Sequence, residues 1–267
     1  MSKAYGILDR MSEDVDYKLV PTPETMVLSN GKRRAALGDF AKAAIDALQA
    51  GRFGQGSVER RSRNANAYTR LDVSYESAFS KPAALRGHLL VEFNHSPLRL
   101  EPDKRLVGLL LDKLALGAYT DPFEVECIAL QEALTEKLVS FPRRLSMLLA
   151  RHSDPARALG CEADGDSSLV RHLYDARRLL QVHPELAEDG AGLAKLVDAA
   201  VRQDMAAFAN QHPEFVADPG LELLLAMKFA KASPDLAAQF DAFVSDQTQF
   251  TLAGCSWRAP AHRIGRW

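Results

Sequence analysis

The sequence predicts an α+β fold in which a strand-bearing first half is followed by an all-helical second half. Before residue 128, short segments alternate apolar and polar side chains, the period of half-buried strands. After about residue 129, apolar residues recur instead at helical spacing. The composition, 47% hydrophobic and 25% charged over 267 residues, is that of a globular chain. It excludes wholesale disorder, collagen-like repeats and a disulfide scaffold. At roughly 100–200 residues per domain the length suits one large or two modest domains. The change of pattern divides the chain into 1–128 and 129–267.

Val15 to Val20 sets Val15, Tyr17 and Leu19 on one face and Asp14, Asp16 and Lys18 on the other, as a strand requires. Arg34 to Ala50 carries Leu37, Phe40, Ala44, Ala47 and Leu48 at helical spacing, and Gly51, Gly54 and Gly56 break it. Tyr68 to Glu76 alternates Thr69, Leu71, Val73 and Tyr75 against Arg70, Asp72 and Ser74, and Arg86 to Phe93 alternates similarly. A helix is expected over Asp103 to Gly117, then a strand over Phe123 to Ile128. Further helices are expected at Leu130 to Phe141, Ser168 to Gln181, Gly192 to Asn210, Leu221 to Ala232 and Pro234 to Gln247. Pro142, residues 155–167, Pro184 and Pro219 separate them.

Lys plus Arg total 33 against 35 for Asp plus Glu, a net charge of -2. That balance excludes a globally basic nucleic-acid binder but permits a local basic patch. Cys127, Cys161 and Cys255 are odd in number and lack a CxxC spacing, so a reduced cytoplasmic compartment is expected. Apolar runs such as Leu106 to Leu111 fall far short of the ~20 residues of a membrane span, and no apolar signal core opens the chain.

Residues two apart on a strand point the same way, so Asp14 and Asp16 put two carboxylates on one face. The pair suits a divalent metal shared with substrate phosphates, or a solvated edge strand with surface acids. Glu92 lies in Leu89-Leu90-Val91-Glu92-Phe93, which reads as a central strand. It is either a third metal ligand or general base, or a partner of Arg70 or Arg86. In the helix from Leu130, Lys137 falls on the stripe of Leu130, Ala133, Leu134, Leu138 and Phe141, whereas Glu132 and Glu136 lie on the polar flank. That lysine either reaches a triphosphate or snorkels past the stripe. Arg171, His172 and Asp175 share a stripe. Arg171 and Asp175 can form a plain i,i+4 pair, or the group can position a phosphate and orient Lys137. Arg52, Arg60, Arg61, Arg63 and Arg70, with Lys32, Arg33 and Arg34, form a locally basic region. It reads as a mobile loop for a polyanion such as RNA, or as an ordinary solvated loop. His183, His212 and His262 are scattered and read as surface residues.

Ser2-Lys3-Ala4-Tyr5-Gly6 through Ser12-Glu13-Asp14-Val15-Asp16 resembles the SKAYG and SED-h-D run of the AbiEii/AbiGii toxin-type nucleotidyltransferases, h being apolar. Glu132-Ala133-Leu134-Thr135-Glu136-Lys137-Leu138 with Arg143 is similar to their E-x-x-x-EK-L…R motif, and Arg171-His172-Leu173-Tyr174-Asp175 to their closing R-(D/H)-x-x-D. The resemblance implies a polymerase-β-like fold, with a mixed or antiparallel sheet followed by a helical domain contributing Lys137 and Asp175 to the cleft. It implies transfer of a nucleotidyl group from an NTP, with Mg²⁺, to an acceptor such as tRNA, and a cognate antitoxin as partner. On that reading Asp14, Asp16 and Glu92 bind metal. Lys3, Ser12, Lys137, Arg171 and His172 bind nucleotide, and Asp14, Asp16, Glu92, Lys137 and Asp175 serve catalysis. The family's GG(S/T) loop is expected immediately before Ser2, where this chain begins with Met1, so this form is expected to bind NTP weakly or not at all. The alternative is a non-catalytic RNA- or protein-binding module of the same fold.

Overall fold

The computed structural model describes residues 2–8, 14–51, 57–76, 87–108, 121–152 and 169–248. The fold is α+β, with a mixed four-stranded sheet, a small two-stranded sheet and a helical second half. In chain order the first elements are α1 (Ser2–Tyr5), β1 (Asp14–Leu19), α2 (Pro23–Met26) and α3 (Asn30–Ala50). Then come β2 (Val58–Arg63), β3 (Tyr68–Ser74), β4 (His88–His95), β5 (Asp103–Val107) and β6 (Phe123–Cys127). The second half holds α4 (Leu130–Arg151), α5 (Leu169–Val182), a 3₁₀ turn (Pro184–Ala187), α6 (Gly190–Phe208), α7 (Pro213–Ala217), α8 (Pro219–Ala232) and α9 (Pro234–Thr248).

The sheet order is β1-β4-β3-β2, parallel between β1 and β4 and antiparallel elsewhere. Glu92 therefore sits on a central strand, as its apolar surroundings predict. Leu71, Val73, Val91 and Phe93 form the core of one sheet face, covered by Ala44, Ile45 and Leu48 of α3. Tyr17 stacks on Phe93 with ring centroids 5.3 Å apart. The period of two then sends Asp14, Asp16, Lys18 and Glu92 to the opposite face, which meets α4 and α5. A second core joins Ile7 and Leu8 to Leu134, Tyr174 and Leu179, and a third joins Phe141, Leu145 and Leu148 to Leu169, Ala226 and Leu236.

Three local expectations about element bounds and type are corrected. α3 starts at Asn30 rather than Arg34, because Ser29 accepts from the Lys32 amide and caps it. Val58–Arg63 is an edge strand joined to β3 by a tight turn with positive φ at Asn64, Ala65 and Asn66, rather than a mobile loop. Its side chains are mostly exposed, so no apolar alternation marked it. Asp103–Val107 is a strand paired with Phe123–Cys127, not the start of a helix. Its Asp103 accepts from the Tyr5 hydroxyl at 2.9 Å, and tertiary pairing there overrides helical spacing. The remainder of that expected helix from residue 109 lies outside the described residues.

Pro142 does not end α4, which runs on to Arg151. A proline inside a helix costs about 3 kcal/mol against alanine. Here Leu145 and Leu148, beyond the proline on the same helix, are buried, and burying such side chains contributes about 1.5–3 kcal/mol each. Continuation therefore outweighs the lost hydrogen bond. His212 is buried, stacked on Phe215 and near Ser146 and Glu222, rather than a surface residue. His183 pairs with Glu185, and His262 lies outside the described residues.

Candidate active site

The register of β1 on β4 sets Asp16 opposite Glu92 and Asp14 opposite Leu90. Asp16 and Glu92 thus stand side by side on adjoining parallel strands, joined by a side-chain hydrogen bond. The Asp16 carboxyl is pushed up to about 7, first by burial and then by the Asp14 and Glu92 charges, while the Lys137 ammonium pulls it down. Asp16 keeps contact with solvent, so the burial that matters is the protein crowding its wider surroundings. Glu92 also accepts from the Tyr68 hydroxyl, and burial with that carboxylate raises the phenol above its usual range. Arg70, opposite Glu92 on β3, turns to Asp72 at 2.8 Å.

Two helices close the site from the other side. Lys137 of α4 lies 3.7 Å from Asp175 of α5, which is buried. Arg171 of α5 donates to Asp14 at 2.8 Å. The expected i,i+4 pair of Arg171 with Asp175 is thus replaced by two tertiary contacts, one of them to the carboxylate strand. Arg144 lies 2.9 Å from His172 Nε2. Guanidinium has no acceptor, so His172 presents a lone pair at Nε2 and carries its proton on Nδ1. Burial first, then Lys137, Arg144, Arg171 and Arg143, hold the imidazole well below its ordinary pKa.

Glu132 is fully buried rather than on a solvated flank, and Leu138 is partly exposed rather than in the stripe. Glu132 accepts from Lys18 Nζ at 2.8 Å, from the Arg99 amide at 2.8 Å and from the Leu100 amide at 3.0 Å. Burial alone would raise its carboxyl, yet these donors hold it below the usual range. Glu136 accepts from Lys18 at 2.5 Å and Arg99 at 3.2 Å. Beyond Lys137 and His172, a cavity of about 310 Å³ opens between α4, α5, α6 and α8, with Leu138, Phe141, Leu173, Leu224 and Met227 among its walls.

The structure brings Asp16, Glu92 and Lys137 together, and ties Asp14 to Arg171 and Asp175 to Lys137. Ser12 and the side chain of Lys3 lie outside the described residues, as does Arg52 of the basic region. Sequence reasoning missed Tyr68 and Arg99, and left Lys18 without a role. Lys18 was legible in principle, since it shares the face of Asp14 and Asp16. Among the described residues, no group of three or more His, Cys, Asp and Glu is arranged to hold a metal ion.

Fold and cleft together define an α+β protein in which carboxylates on a parallel strand pair face cationic side chains on two helices. The chain belongs to the nucleotidyl transferase AbiEii toxin family of type IV toxin–antitoxin systems, whose family model matches residues 1–262. No curated protein and no solved structure matches it.

Proposed function

We propose that this chain transfers a nucleotidyl group from an NTP to an RNA acceptor such as tRNA, at the cleft formed by Asp14, Asp16, Glu92, Lys137 and Asp175. The observation that carries the proposal is the strand register that sets Asp16 beside Glu92, with Lys137, in contact with Asp175, near enough for its charge to act on Asp16. Two carboxylates crowded until one resists ionisation suit a divalent cation, and Mg²⁺ usually takes one or two carboxylates together with substrate phosphates. Asp16 and Glu92 would hold it, with Asp14 able to join once Arg171 exchanges onto phosphate. When bound, the ion supplies charge neutralisation along the triphosphate.

Lys137 and Arg171 are the cations for the phosphate oxygens, each now paired with a carboxylate. His172, kept neutral beside these cations and held at Nε2 by Arg144, adds no charge to the site. The acceptor hydroxyl attacks the α-phosphorus and releases its proton to solvent, while the bond to the β-phosphate breaks and pyrophosphate leaves. Arg60, Arg61 and Arg63 are exposed on the edge strand. Asn66 donates to the Arg34 carbonyl at 2.9 Å, bringing the β2–β3 turn against the Lys32, Arg33 and Arg34 end of α3. The two basic stretches form one surface suited to RNA phosphates. No helix among the described residues is long and apolar enough to cross a membrane. A cytoplasmic protein kept in check by a cognate antitoxin fits the toxin family.

The test is transfer of label from each α-labelled NTP to total tRNA with Mg²⁺. Label on RNA, lost by about 100-fold or more in an Asp14→Ala, Asp16→Ala variant of unchanged melting temperature, is the expected result. Undiminished transfer by that variant, or RNA binding without transfer by the unaltered chain, overturns the proposal.

A further inference from the structure

We infer that Lys18, Glu132 and Arg99 form a positioning clamp that fixes strand β1 against helix α4, so that Lys137 faces Asp16 and Glu92. The inference rests on the reading of that cleft as a nucleotidyl-transfer site.

Lys18 lies two residues beyond Asp16 and shares its face of β1. Glu132 and Glu136 lie one turn apart on α4, and Lys137 follows Glu136 directly. The ammonium of Lys18 bridges both glutamates, at 2.8 Å and 2.5 Å. Arg99, from the segment after β4, reaches the same two carboxylates at 3.4 Å and 3.2 Å and also donates to Gln203 of α6 at 2.5 Å. Two cations thus balance two anions, and the amides of Arg99 and Leu100 complete the shell of a fully buried Glu132.

A buried network of this kind is a weak source of stability, since well-packed apolar residues commonly do as well or better. Its particular property is geometric. The side-chain period of a strand is two, so slippage of β1 by one residue carries Lys18 to the wrong face and leaves Glu132 charged and unmatched. The same slippage would carry Asp14 and Asp16 away from the helices. One contact therefore excludes the registers in which the carboxylates and Lys137 fail to meet. Lys18, Glu132 and Arg99 are positioning residues and need touch neither substrate nor metal.

The test uses the full chain with Cys127, Cys161 and Cys255 changed to Ser and spin labels attached through Val20→Cys and Leu138→Cys, both exposed positions. The distance between the labels is measured by pulsed electron resonance. One narrow distance is expected, broadened by Lys18→Met and by Glu132→Gln and restored by Lys18→Arg. In transfer assays the two neutralised variants lose kcat by about 100-fold with NTP KM held within about twofold, since misplacement of about 1 Å costs that much. Unchanged distance distributions in both variants overturn the clamp even where kcat falls. If the unaltered chain transfers nothing, the distances still decide the clamp and only the functional proposal fails. If Glu132→Gln does not fold, Lys18→Met and Lys18→Arg decide it alone.

Discussion

Glu92→Gln removes one charge from the Asp16–Glu92 pair and nearly preserves its shape. Adjoining strands are about 4.8 Å apart, so carboxylates on partnered residues stand about 5 Å apart. Coulomb's law then gives about 3 kcal/mol at an effective dielectric of 20 and about 0.8 kcal/mol in water. Asp16 keeps contact with solvent, which places the repulsion near 1.4 kcal/mol, or about one pKa unit. The Asp16 midpoint, raised to about 7, falls in the variant.

The sign for stability follows from proton counting. Asp16 titrates higher folded than unfolded, so the folded state holds extra protons from about pH 4 to 7, and stability is lost as pH rises through that window. The variant has the narrower window. Between pH 5 and 8 it therefore loses about 1 kcal/mol less stability than the unaltered chain, a comparison in which the pH-independent change at Tyr68 cancels. Carboxyl carbon NMR gives the midpoint, and urea unfolding at the two pH values gives the difference. An Asp16 midpoint that stays in place or rises refutes the pairing and, with it, the crowded carboxylates on which the site is built.

Three further outcomes are expected. Arg143→Ala strips Asp204 of a guanidinium at 2.7 Å and Phe208 of the cation 3.8 Å above its ring, so urea unfolding should show a loss of about 3 kcal/mol. Pro142→Ala restores an amide to the middle of α4 at the expense of a buried ring, a net gain of about 1 kcal/mol that raises the melting temperature. His172 should stay neutral by ¹⁵N NMR as pH falls through the ordinary imidazole midpoint of about 6.5, and because the unfolded chain then binds more protons, stability falls on acidification below that midpoint. Ordinary titration near 6.5 would contradict the Arg144 contact.

Sequence reading succeeded where one rule controlled the outcome. Alternation found β1, β3 and β4, and the central placement of Glu92 followed from apolar neighbours on both sides. Helical spacing found the later helices to within a few residues, because their apolar stripes face one another, but it stopped the helix from Leu130 ten residues early, at Phe141. It failed where a distant partner decided the result. β2 has no buried face to pattern, so its arginines read as loop. Glu132 looked solvated because a carboxylate on a helix flank ordinarily is, and only Lys18 and the Arg99 and Leu100 amides, remote in sequence, make its burial tolerable. Arg171 had a ready local partner in Asp175, yet each met a residue from another element.

The contacts across the polar sheet face differ in how readily they can change partner. Arg171 and Lys137 keep about a fifth of their side-chain surface, at 21% and 22%, while Glu132 keeps none. Ion pairs in which both partners keep contact with water contribute only about 0–1 kcal/mol, so an incoming triphosphate can draw Arg171 from Asp14 at little cost, whereas Asp175 is buried and drawing Lys137 from it costs more. Breaking Glu132 from Lys18 instead leaves a buried charge unmatched, at about 3–5 kcal/mol. Phosphate binding should therefore rearrange the accessible pairs first and leave the buried ones in place. The cation freest to meet substrate, Arg171, and the carboxylate that must stay in place, Glu132, are separated by burial, on two helices packed against each other.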